Sequence, residues 1–176
     1  VYAKASTTVP TQSSCIASKS MNTSNQRGFI LYRDGTDGKL KLYISSDGTS
    51  TSVVTASSTG TVAQGQWVHC CGVYDGTDVR VYINGTQDGT PAAWTAGIKD
   101  NTAAFRIGLY NSVDGAVYGY IDDVSYWNRA LTAAEVAELA ALGDNFRHTS
   151  TSALAAQSAT LAGTGAKEHP HTSSGA

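Results

Sequence analysis

A chain of 176 residues is long enough to bury a substantial core in one domain and short for two. A net charge of −2 with scattered Lys and Arg argues against a nucleic-acid or anionic-membrane partner, and no apolar run nears the roughly 20 residues that a spanning helix needs. Thr, Ser, Ala, Gly and Tyr dominate and only 15% of residues are charged, a balance associated with secreted and particle-surface β-proteins.

The chain opens without Met or a basic-then-apolar leader, so a processed or truncated start is expected. Strands are expected at 1–4, 14–19 and 28–33. The next, 39–44, alternates cleanly and places Leu40, Leu42 and Ile44 on one face. After a strand at 52–56, residues 66–74 are apolar on both faces, as suits a central strand. Residues 78–83 alternate again with Val79, Val81 and Ile83 inward, and further strands are expected at 104–109 and 116–127. Asp-Gly or Asn-Gly pairs punctuate these runs at 34–35, 37–38, 47–48, 75–76, 84–85, 88–89 and 114–115. Glycine accepts the positive φ of tight hairpin turns, and Asn or Asp tolerates it better than most residues. Many short strands with regular turn signals define an all-β, two-sheet antiparallel sandwich and not βαβ units.

One short helix follows the last main strand. Thr132 and Glu135 have capping-box spacing, Leu131 and Val136 occupy the staple positions, and Gly143 supplies the stop. This helix reads as a lid on one end of the sandwich. From Thr149 onward a Ser/Thr/Ala/Gly-rich extension begins, with 163–176 resembling a linker. The organisation expected is therefore a domain at 1–148 and an extension at 149–176. Cys15, Cys70 and Cys71 match no zinc or haem spacing; a Cys15 disulfide and three buried thiols both remain open.

Two segments carry a family resemblance. The run from Gln66-Trp67-Val68-His69 through Tyr74-Asp75-Gly76 to Val81-Tyr82-Ile83-Asn84-Gly85 resembles the central hairpin of laminin-G-like domains. Arg106-Ile107-Gly108, Gly119-Tyr120-Ile121-Asp122-Asp123-Val124 and 128–136 resemble the closing strand and helical turn of that family. Val1–Ala5 and Ile16–Lys19 are similar to its early strands, with Tyr2 where a Trp is usual. The resemblance covers about 1–143 and implies the concanavalin A-like jelly roll. It also implies a strand before residue 1, so that the domain lacks its usual first strand. That place would be taken by residues 150–162 or by a strand of a neighbouring subunit.

Enzymatic chemistry is not expected. Glucanases of this jelly roll need two carboxylates flanking the sugar bond on one strand. The three Glu are Glu135 and Glu138 on the helix and Glu168 in the extension, and the Asp residues sit mostly in turns. His69 beside Cys70 and Cys71 makes no nucleophile–base pair, since adjacent strand residues diverge. No cofactor is required. In related jelly rolls an Asp of the last strand helps to hold a structural Ca²⁺, which makes Asp122 the candidate metal ligand; a carboxylate bonded to backbone N–H groups is the alternative. The Asp34-Gly-Thr-Asp37 and Asp75-Gly-Thr-Asp78 elements lack full calcium-loop spacing and read as turns. Trp94, Tyr110, Tyr118 and Tyr120 are candidate stacking platforms for sugar rings, or else packing residues.

The expectation is a non-catalytic recognition or adhesion module, lectin-like, at an extracellular or surface location, with a glycan or a surface protein as partner. The alternative is a structural or decorating subunit of an extracellular or virion surface, assembled into a homo-oligomer or larger array by strand exchange or tail contacts. A third possibility, an accessory domain of a larger hydrolase, stands behind both.

Overall fold

The computed structural model describes residues 1–6, 12–22, 24–110 and 115–143. Two antiparallel sheets pack face to face. The first has the order β11 (Gly119–Asp122), β1 (Tyr2–Ala5), β6 (Val68–Tyr74), β7 (Asp78–Ile83), β8 (Thr86–Gln87), with β9 (Ala92–Ala93) also paired to β7. The second has the order β10 (Phe105–Ile107), β2 (Ser14–Met21), β3 (Gln26–Arg33), β4 (Lys39–Ser45), β5 (Val53–Thr61). This is the expected β-sandwich, and β6 is its expected central strand. The sandwich lies in a compact unit, Val1–Ala141, while Leu142–Ala176 forms a second unit. The segment at 150–162 lies outside the described residues.

Alternation drives the core. Leu40, Leu42 and Ile44 from β4 meet Val79 and Val81 from β7, with Leu31, Val68 and Cys70 filling between them, all buried. Burying each such side chain is worth about 1.5–3 kcal/mol relative to exposure. A Cβ at Gly72 would sit 2.9 Å from Leu42 Cδ2 and 3.3 Å from Leu31 Cδ1, so the ends of these side chains must shift to admit one.

The hairpin turns use the expected Asp chemistry. Asp34 Oδ1 accepts from the N–H groups of Thr36 and Asp37, and Asp75 Oδ1 accepts from those of Thr77 and Asp78. In each turn a cation clamps both carboxylates: Lys41 on Asp34 and Asp37, Arg80 on Asp75 and Asp78. Arg80, followed by the backbone bonds, holds the Asp75 carboxyl far below the usual carboxylate range.

Two expectations are corrected. The strand expected over 116–127 spans only Gly119–Asp122. Its partner β1 supplies four pairs, from Ala5↔Gly119 to Tyr2↔Asp122, and Val1 already bonds toward Cys70. The β1–β11 ladder ends at Tyr2↔Asp122, Asp123 turns at φ 50° and residues 124–128 leave the sheet.

The helix α1 (133–143) is the second correction, since it lies on the outer face of the first sheet and not at an end of the sandwich. Its Val136, with Leu131, packs on Val73 of β6 and Tyr82 of β7. The hydroxyl of Tyr2 donates to the carbonyl of Ala140. The expected capping box is present, with Thr132 N–H to Glu135 Oε2 at 2.8 Å and Glu135 N–H to Thr132 Oγ1 at 3.3 Å. Arg129 adds a bidentate pair to Glu135, at 3.0 and 2.7 Å.

Candidate functional site

Among the described residues no helix lies on the outer face of the second sheet, and alternation populates that face. Inward Leu31 and Leu42 are followed by outward Tyr32 and Tyr43. Register fixes two cross-strand rows, Cys15–Tyr32–Lys41 and Ser18–Ile30–Tyr43. Side chains directly opposite on one face interact at about 4.5–5.5 Å between Cβ atoms, so the two Tyr stand as diagonal neighbours. A groove of about 370 Å³ forms over them, lined by Ile30, Tyr32, Tyr43, Arg27 and Tyr110 with Cys15 at its floor. That volume lies within the range of small-molecule sites.

Each wall has a local reason for its place. Ser18 Oγ donates to Leu109 O at 2.9 Å, which holds the chain after β10 against the sheet. Tyr110 then follows, and its hydroxyl donates to Asn22 Oδ1. Arg27 is the second residue of β3, with its N–H bonded to Gly48 O at 3.2 Å. Burial pushes the phenols of Tyr32 and Tyr43 above their ordinary values, so both remain neutral donors and acceptors. Burial likewise pushes the Cys15 thiol up to about 11, and all three cysteines are free thiols. The face therefore offers aromatic surface, hydroxyls and one guanidinium, and among the described residues its lining includes no carboxylate.

A second cavity of about 530 Å³ opens between the sheets beneath 124–131. Its mouth is aromatic: Phe29 and Tyr126 stack at 5.8 Å and 7°, and Phe105 lies 5.7 Å from Tyr126. Phe105 and Ile107 occupy core-facing positions opposite Lys19 and Ala17, yet they are 41% and 52% exposed, because β10 is an edge strand.

The residues expected from sequence fall in different places. Tyr110 joins the groove. Trp94 packs against the core and donates its Nε1–H to Gly97 O at 2.7 Å, so it is a packing residue. Tyr118 and Tyr120 are exposed near the other edge, where Tyr120 lies 6.4 Å from Trp67. Asp122 is exposed, and its Oδ1 accepts from Asp123 N–H at 2.9 Å, in line with the alternative of a carboxylate bonded to backbone N–H. Among the described residues no three His, Cys, Asp or Glu side chains gather to hold a metal. Glu135 is engaged by Arg129 and Thr132, and bonding to Arg129 lowers its carboxyl to about 2. His69 is buried against the Tyr2 ring at 5.2 Å, and burial lowers its imidazole to about 4. Tyr32, Tyr43 and Arg27 were not singled out from the sequence. The available signal was two Tyr on the solvent phase of neighbouring alternating strands.

Residues 3–137 match the laminin G family of the concanavalin A-like lectin/glucanases superfamily, and the chain belongs to it. Three solved structures share the fold. A protein of Bacteroides ovatus proposed to bind carbohydrate aligns with TM-score 0.59 at 16% identity, over 77% of this chain and 38% of that one. Domain 4 of AbnA, an extracellular arabinanase of Geobacillus stearothermophilus solved with arabinotriose, aligns with TM-score 0.59 at 22% identity, over 79% and 63%. The heptameric SAP-like pentraxin of Limulus polyphemus gives 0.56 at 23%, over 79% and 66%. The chain thus spans between 38% and 66% of the lengths of these structures. By sequence, no curated protein matches.

Proposed function

We propose that the protein is a non-catalytic, lectin-like module that binds a glycan on the outer face of its second sheet, in an extracellular or surface setting. The observation that carries this is the groove itself, which Tyr32, Tyr43 and Tyr110 line together on one face. Aromatic rings stack on the apolar faces of sugars while phenol hydroxyls bond their edges. A glycosidase would need two facing carboxylates instead. The arabinotriose bound to the arabinanase domain supports a sugar as the ligand class.

Isothermal titration of the full chain with a panel of oligosaccharides tests the reading. Saturable binding that is lost in Tyr43→Ala supports it. No binding across the panel, or binding untouched by Tyr43→Ala and Tyr32→Ala, overturns it. The reading requires no cofactor: Asp122 is not among the described residues that line the groove, and titration in EDTA is expected to give the same affinity.

A second reading, a subunit completed by strand addition, draws on the edge strands β10 and β11 with core-facing Phe105 and Ile107 exposed. It requires a mass that rises with concentration and falls back to monomer when 149–176 are deleted. A monomer throughout removes it.

A further inference from the structure

The charges around the groove are not evenly matched. Lys41 is committed to Asp34 and Asp37 at 2.9 and 3.0 Å. Asp47, near Tyr43, spends its carboxylate on Ser52 Oγ at 2.7 Å and Thr49 Oγ1 at 2.8 Å, with Thr49 N–H at 2.8 Å. Elsewhere Arg80 and Arg129 are paired with carboxylates, Arg33 donates to the carbonyl of Asp34, and Lys19 caps the carbonyls of Asn101 and Ala103. Arg27 is different. It lines the groove half-buried, and among the described residues its guanidinium has neither an ion pair nor a side-chain hydrogen bond. Guanidinium is planar and always charged, and its fork matches a carboxylate with two parallel bonds. A half-desolvated fork beside aromatic rings is arranged to receive an anion that arrives together with a ring.

We infer that the groove recognises sugars that bear a carboxylate, the uronic acids, with Arg27 taking the carboxylate and Tyr32 and Tyr43 holding the ring. The inference rests on the glycan-binding reading above and names the ligand class of the same groove. A neutral sugar can use the tyrosines but leaves the guanidinium unmatched.

The test is titration of the full chain with trimers of galacturonate and of glucuronate, each beside its methyl ester, and with neutral arabinotriose. The ester keeps the ring and removes the charge. At least one acid trimer binds roughly 10- to 100-fold more tightly than its ester, the range expected for charge-assisted bonds. Arg27→Met abolishes that difference without abolishing ester binding, Arg27→Lys retains part of it, and added salt weakens acid binding only. Thermal melts of both variants confirm that they fold. Equal affinity for acid and ester, or a preference that survives Arg27→Met, overturns the inference and leaves the glycan-binding reading standing. Binding of arabinotriose with no acid binding does the same. Absence of all binding overturns both.

Discussion

The two sheets present opposite outer faces built by the same alternation. On the first, outward Tyr2, His69, Cys71, Val73 and Tyr82 lie under the helix or border it, and the Tyr2 hydroxyl is satisfied by a helical carbonyl. On the second, outward Ile30, Tyr32 and Tyr43 are half-buried with no helix over them among the described residues, and Arg27 and Tyr110 stand at their margins. Tyrosine on the covered face is a structural residue, and tyrosine on the open face is available to a ligand. Residue type did not decide this. The presence or absence of one helix did.

The comparison can be broken most strongly at Val136, which is fully buried beneath the helix. Val136→Asp leaves an unpaired charge there and costs on the order of 3–5 kcal/mol, read as a lower denaturation midpoint. If stability is unchanged, the helix does not hold the covered face.

His69 tests the same face by pH. Its folded value is depressed to about 4 from 6.5, so the unfolded state binds the extra proton in that window. Stability is therefore full above about pH 6.5 and falls as pH drops toward 4, by up to about 3 kcal/mol. Denaturant melts from pH 7 to 4 should show this slope, and His69→Gln should flatten it. A slope unchanged in the variant would place the titration elsewhere.

Smaller effects follow. Thr132→Ala removes the cap and costs about 1 kcal/mol, with a matching loss of helical circular dichroism. On the open face, Tyr43→Ala changes stability by less than about 1 kcal/mol while removing ligand binding, which sharpens the contrast between a face that supports the fold and one that uses it. A large loss of stability in Tyr43→Ala would mean the open face is structural as well.

Much of this fold was legible before any coordinates. Period-two runs at 39–44 and 78–83, the Asp-Gly turns and the Thr132–Glu135 box all act through neighbours a few residues apart, and local chemistry is what a sequence displays. The break at Asp123 was not legible, because it depends on where β1 stops pairing. The seat of the helix was not legible either. Its apolar stripe says that Val136 must be covered, and only the tertiary arrangement says by Val73 and Tyr82. The groove was half visible: Tyr110 stood out as an aromatic in a loop, whereas Tyr32 and Tyr43 become neighbours only through the β3–β4 register.

Gly72 gives the open face a dependence on the opposite sheet. It abuts Leu31 and Leu42, the residues that immediately precede Tyr32 and Tyr43 in the chain. The spacing of the outward tyrosines is thus gauged from behind, by an atom that is missing on the far side of the sandwich. Any side chain introduced at 72 would act as a wedge between the layers and retune the groove without ever touching what lies in it.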